Sequence, residues 1–258
     1  MPVNPLVIVA HGTRDEIGAA VVGRLAAAVR RELPGVAVRF AFVDVRPPRV
    51  VTALSDVLPD PSSGSRAVVV PAFLGAGYHV QVDLPRQLAD AGMAHRTLLT
   101  PLLGSHPLLV TGAADRLRRA GWQPGDPVVL GAAGSRDERG LHDVTSAADA
   151  LGARLRTEVR VGYLASGSPR APEVVESLRA RGRRVFAASW LLAPGLFQSR
   201  LADSGADVVT EPLGLHPAVV AAVVSRYVAA VSGGVAVGDR SALDRSHTVP
   251  GPMRSSVT

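Results

Sequence analysis

The 258-residue chain contains no cysteine and no lysine. Without cysteine there is no disulfide framework, thiolate zinc site, iron-sulfur cluster or cysteine nucleophile, so any metal must be held by His, Asp, Glu or backbone oxygen. Without lysine there is no Schiff-base chemistry and no P-loop lysine. All 28 basic residues are arginine, at a formal net charge of +6. Aromatic residues make up only 4% of the chain, too few for a base-stacking platform. The arginines are spread along helical stretches instead of forming a run that tracks phosphates, so nucleic acid is not an expected partner. No apolar run approaches the roughly 20 residues that span a bilayer, and no basic start leads into an apolar core and cleavage site. No membrane partner is therefore expected, and the expected location is cytoplasmic.

What the chain does have is apolar character, 47% of its residues, which is enough to build two compact cores. Short runs rich in Val and Leu alternate with helical stretches, the pattern of parallel strands buried on both faces. In the first half the pattern predicts strands over 6–10, 36–42, 67–73 and 97–101, and helices over 17–31, 48–58, 82–91 and 107–120. Strands over 128–131, 158–164, 185–190 and 207–211 repeat the order after Pro127. The repetition reaches single residues: PLVIVAHGTRD at Pro5 matches PVVLGAAGSRD at Pro127, and PLLGSHPLLV at Pro101 matches PLGLHPAVV at Pro212. AFVDVRPP at Ala41 and AFLGAGYHV at Ala72 match GYLASGSP at Gly162 and SWLLAPGLFQ at Ser189 less closely. The expected fold class is α/β, with two tandem homologous doubly wound parallel-sheet domains, residues 1–121 and 127–231. Residues 232–258 are polar, rich in Gly, Ser and Pro, and aperiodic, and are expected to form a disordered tail that includes His247.

A duplicated fold is its own control, because one half shows what the scaffold requires when no chemistry is asked of it. His11 aligns with Ala133, Asp44 with Ala165 and His79 with Phe197. Each of these polar groups stands just beyond the C-terminal end of a strand, the edge at which open parallel sheets bind ligands. Two imidazoles and a carboxylate on that edge suit a divalent ion of the Fe, Co, Ni or Zn type. A strand-end histidine can also be purely structural, and Asp44 could instead cap a turn. His106 behaves differently: it recurs as His216, each opening the last helix of its half, so capping or packing is the expected role. His95 and His142 are expected to be solvated.

HGTR at His11, FVD at Phe42 and GYHVQVDLP at Gly77, on a duplicated α/β chain, resemble the class II sirohydrochlorin chelatases in their long two-domain form. The resemblance spans both halves and leaves only the tail outside. It implies a chelatase-like fold with a tetrapyrrole cleft between the halves, the active site on the first half, and a monomer, since both halves lie on one chain. It also implies ATP-independent insertion of a divalent metal into sirohydrochlorin, for sirohaem or cobalamin biosynthesis, with Fe²⁺ favoured and Co²⁺ next. No cofactor beyond that substrate metal is expected. The family's catalytic, metal-handling histidines carry over to His11 and His79. Its acidic partner, commonly Glu, falls on the shorter Asp44. Imidazole can hold an ion loosely and accept a proton near neutral pH. Arg14, Arg46 and Arg136 lie near strand ends, where they could pair with the acidic side chains of the ring.

Two other readings stay open. A metal or tetrapyrrole carrier without turnover would need the same ligands and the same cleft. A histidine phosphatase also begins with an apolar strand followed by HG, but expects Arg immediately before the histidine, where this chain has Ala10.

Overall fold

The computed structural model describes residues 3–60, 62–104, 106–180 and 182–233. The expected tail lies almost entirely outside the described residues. The first half runs β1 (Leu6–Ala10), α1 (Glu16–Glu32), β2 (Val38–Phe42), α2 (Val50–Val57), β3 (Ala67–Pro71), a π-helical turn (His79–Asp83), α3 (Leu84–Asp90), β4 (Thr97–Leu99) and α4 (Pro107–Arg119). The second half runs β5 (Val128–Ala132), α5 (Glu138–Leu155), β6 (Val159–Tyr163), α6 (Ala171–Arg179), β7 (Phe186–Trp190), α7 (Leu196–Ala202), β8 (Val208–Val209) and α8 (Pro217–Val231). Each half forms a four-stranded parallel sheet, ordered β2-β1-β3-β4 and β6-β5-β7-β8. The central strands β1, β3, β5 and β7 are buried along their whole length, as their unbroken apolar runs require. Among the described residues no helix is long and apolar enough to cross a membrane.

Capping explains where the two long first helices begin. The Asp15 carboxylate accepts the Ile17 N–H at 2.8 Å to start α1, and the Asp137 carboxylate accepts the Arg139 N–H at 3.0 Å to start α5. Most differences from the sequence reading lie at element ends. β3 stops at Pro71, where the chain leaves the sheet and the 73 and 71 carbonyls accept the N–H groups of Gly104 and Leu103 instead of a strand partner. The helix expected over 82–91 is entered through the π-helical turn and begins at Leu84. The strand expected over 207–211 shortens to two residues.

The layering could not be read from the sequence. The outer face of the first sheet is covered by its own α2 and α3, through Val50, Leu54, Leu84 and Leu88. The inner faces of both sheets share one core that runs through Ile8 and Val70 of the first half and Leu130 and Phe186 of the second. Within that core the last helices are exchanged: α4 packs on β7 of the second sheet, and α8 packs on β3 of the first. The pairs α1 with α8 and α5 with α4 repeat the contact about a pseudo-two-fold axis, and α4 and α8 meet each other on it. Leu109 and Leu117 of α4 and Val219 and Val223 of α8 are fully excluded from solvent. At about 1.5–3 kcal/mol for each buried side chain, these four approach the net stability of an ordinary domain, about 5–15 kcal/mol.

His106 and His216 are the N-caps of the exchanged helices, as their recurrence implies. The Nδ1 atoms accept the N–H groups of Leu108 at 3.3 Å and Ala218 at 3.2 Å. Pro107 and Pro217 follow in the first helical turn, where the missing N–H costs nothing. His216 is buried, and its Nε2 lies 3.9 Å from an Asp115 carboxylate oxygen. Burial lowers its pKa from the usual 6.5, the Arg116 charge lowers it further, and Asp115 opposes the shift. Folded protein therefore binds fewer protons at this site than unfolded protein. The stabilisation is fully present above 6.5 and is lost as pH falls through the unfolded value toward the lower folded one. We expect the urea midpoint of the wild type to drop between about pH 7.5 and 5.5, and His216→Asn, which retains a capping acceptor, to flatten that drop. Equal pH slopes for the two proteins would show that His216 is not the group responsible.

Candidate active site

In a sheet ordered β2-β1-β3-β4 the connections diverge between β1 and β3, which opens a crevice beyond the carboxyl ends of those two strands. His11 is the first residue after β1. His79 opens the π-helical turn on the segment that follows β3. The two sequence candidates thus follow hydrogen-bonded neighbours at the switch point. The pairing also supports the internal alignment. The Asp44 N–H donates to the His11 carbonyl at 3.0 Å, and the Ala165 N–H donates to the Ala133 carbonyl at 2.9 Å. Alanine therefore occupies in the second half the backbone positions held by His11 and Asp44 in the first.

The carboxyl ends of the two sheets face one cleft of about 1120 Å³. His11, Phe73 and Tyr78 line it from the first half, and Ala133, Trp190 and Phe197 from the second. His11 is exposed to the cleft and stacks on Phe73 with ring centroids 6.4 Å apart and an interplanar angle of 24°. Tyr78, Val82 and Leu196 also line the cleft while remaining solvent-exposed, so its mouth presents apolar surface of the kind a flat apolar ligand would cover.

Arg14 and Arg136 occupy matching positions in the two halves, and both line the cleft with exposed side chains. Arg46 is turned elsewhere: its guanidinium pairs with Glu16 at 2.9 Å, donates to the Thr13 carbonyl at 3.4 Å, and lies 5.8 Å from the centre of the Phe42 ring. Asp44 does not line the cleft. Its carboxylate accepts the Val45 N–H at 2.7 Å and stands 3.7 Å from Arg49. Among the described side chains, which do not include that of His79, no three His, Asp or Glu groups gather into a metal-binding set. His95 and His142 are exposed, as expected.

These features define a duplicated α/β protein with a cleft between its halves that, among the described residues, is lined by His11 from the first half and by no histidine from the second. A family model described as CbiX matches the chain twice, over residues 5–120 and 127–230. The chain belongs to the CbiX family, the class II chelatases whose motifs it shares. A curated relative, the sirohydrochlorin cobaltochelatase of Methanococcoides burtonii, is 29% identical over 83 residues, which is 32% of this chain and 62% of the relative's length. Among solved structures, SirB from Bacillus subtilis with Fe³⁺ superposes with a TM-score of 0.77 at 20% identity, covering 89% of this chain and 96% of the other. The cobalt complex of the sirohydrochlorin chelatase SirB, from Bacillus subtilis subspecies spizizenii, gives 0.72 at 19% identity over the same shares. At these identities the two structures establish a common fold.

The glycine of the HG pair belongs to the scaffold and not to the chemistry. Gly12 has φ +107°, and a Cβ there would lie 2.2 Å from the Asp44 carbonyl oxygen. Its counterpart Gly134, beside alanine, has φ +91°, and a Cβ there would lie 1.6 Å from the Ser166 carbonyl oxygen. The next residue after Asp44 adds strain, since Val45 is a β-branched side chain held at φ +71°. Gly12→Ala should lower stability by more than about 2 kcal/mol in urea unfolding, through the left-handed backbone and the carbonyl clash together. A variant as stable as wild type would mean that the β1 and β2 loops do not pack as described.

Proposed function

We propose that the protein inserts a divalent metal, Fe²⁺ first and Co²⁺ next, into sirohydrochlorin without ATP. The observation that carries this reading is the cleft between the two halves, lined by His11 on one wall and Ala133 on the other, in a chain of the chelatase family. The metal is a substrate here. His11 and His79, on the segments that follow β1 and β3, are proposed to receive the ion, and a neutral imidazole can take a proton leaving a pyrrole nitrogen. Both proposed ions accept imidazole and carboxylate donors. Asp44, whose N–H donates to the His11 carbonyl, is proposed as the acidic partner of the two histidines.

The tetrapyrrole is proposed to lie between the halves against Phe73, Tyr78 and Leu196, with Arg14 and Arg136 pairing its acidic side chains from opposite rims. Contact with both rims would allow ring binding energy to be spent on bending the macrocycle toward the metal, the general use of binding energy remote from the reacting atoms. Arg46 is left out of this set because it is held by Glu16. One site per chain, completed by both halves, fits a monomer as the working unit.

The test is anaerobic and spectrophotometric, with sirohydrochlorin and either Fe²⁺ or Co²⁺ measured against a protein-free control. Wild type should turn over many times, and His11→Ala should lose roughly hundredfold in kcat with an unchanged melting temperature, since His11 is exposed and alanine already stands at its counterpart. Arg14→Ala and Arg136→Ala should raise KM for the tetrapyrrole by about tenfold each and leave kcat nearly intact. Product formation that stops at one equivalent would make the protein a carrier and refute the enzyme reading.

A further inference from the structure

The second half lacks histidine at the site, but it holds the segment that leads to His79. After β3 the chain passes as residues 73–78 through a narrow channel between the halves. A Cβ on Gly104 would lie 2.3 Å from the Leu74 carbonyl oxygen. One on Gly140, at the start of α5, would lie 1.8 Å from the Ala76 carbonyl oxygen. The two glycines, one from each half, let this backbone through.

Three side chains of the second half then fasten it. The buried Trp190 indole N–H donates to the Leu74 carbonyl at 3.0 Å. The Asp143 carboxylate accepts the Ala76 N–H at 2.8 Å, and the Ser135 hydroxyl donates to the Ala76 carbonyl at 3.4 Å. A backbone N–H bound to a carboxylate is a charge-assisted bond, stronger than one between neutral groups.

Among the described residues no side chain of the first half hydrogen-bonds the pseudo-symmetric segment, from Leu191 to Leu196; Thr13, the counterpart of Ser135, accepts the Asp15 N–H instead. Where Trp190 stands in β7, the first half has Ala72, and where Asp143 stands in α5, α1 has Val21. Ala76 corresponds to Pro194, which has no N–H to give. Donor and acceptor are thus missing together on that side. Gly18, the counterpart of Gly140, still gives close passage there, since a Cβ on it would lie 2.7 Å from the Pro194 carbonyl oxygen. The passage is common to both halves, and the fastening belongs to one.

We propose that the second half acts as a clamp on residues 74–78, with Trp190, Asp143 and Ser135 as positioning residues that fix the backbone leading into His79 for metal insertion. This rests on the chelatase reading for its catalytic consequence, but the clamp itself is a statement about the segment. A histidine that must meet both an ion and a ring nitrogen tolerates little displacement, because misplacement by about 1 Å can cost as much as hundredfold in rate.

The test compares wild type, Asp143→Ala, Asp143→Asn and Trp190→Phe in two measurements. In hydrogen exchange followed by mass spectrometry, Asp143→Ala and Trp190→Phe should speed exchange in peptides covering 74–83 by about tenfold, leaving the β1 and β5 peptides unchanged. With Co²⁺ and sirohydrochlorin, kcat should fall about tenfold while KM changes less than about threefold, and Asp143→Asn, whose amide oxygen still accepts the Ala76 N–H, should recover most of the loss. Unchanged exchange over 74–83, exchange raised uniformly across the chain, or a loosened segment with undiminished kcat would each overturn the proposal. A wild type with no insertion activity would sink the chelatase reading alone, and the exchange measurement would still decide whether the clamp exists.

Discussion

The arrangement depends on the exchange of the last helix of each half. α4 covers β7 and α8 covers β3, so the inner face of each sheet is completed by a helix that belongs in sequence to the other half. Polar contacts secure the crossing where the helices reach over. The Tyr227 hydroxyl donates to the Asn4 carbonyl at 2.8 Å, Arg226 donates to the Leu102 carbonyl at 3.0 Å, and Arg116 pairs with Glu211. Dense packing of this kind has low compressibility and resists continuous deformation. The consequence is a cleft whose two walls are held in a fixed relation by the core beneath them.

Within that frame the duplication is symmetric in backbone and asymmetric in chemistry. The left-handed glycines Gly12 and Gly134, the cap pairs Asp15 with Asp137 and His106 with His216, and the strand registers recur in both halves because both must fold the same way. Two of the departures, His11 and Trp190, line the cleft. The first half carries His11 and His79, and the second carries Trp190 and Asp143, directed at the segment between β3 and that second histidine. The absence of the proposed metal-handling histidines from the second half and the presence of fasteners on that same half fit one division of labour.

Much of this was legible in the sequence. The α/β class and the duplication followed from apolar runs whose period and order are dictated by strands buried on both faces. The equivalences of His11 with Ala133 and Asp44 with Ala165 survive because matching backbone hydrogen bonds fix them. The cap role of His106 and His216 was readable from their recurrence at the start of the last helix of each half. Less visible were features set by contacts between distant segments. Nothing local to Arg46 says that Glu16 pairs with it, and nothing local to Asp44 says that one of its carboxylate oxygens accepts the Val45 N–H and stands near Arg49. Helix exchange leaves no periodic trace, since α4 and α8 would show the same apolar stripe on either sheet. The clamp did leave a trace, in Trp190 opposite Ala72 and Asp143 opposite Val21, but a comparison made for groups lost from the second half passes over groups it gained.

The central claim is one asymmetric site made by two halves, and the most direct measurement is a crystal structure of the Co²⁺-loaded protein with anomalous scattering recorded at the cobalt edge. The account predicts one cobalt ion per chain, on the first-half wall of the cleft and within coordination distance of His11 and His79, with no peak beside Ala133 and Phe197. Two related peaks, or a single peak on the second-half wall or outside the cleft, would contradict it.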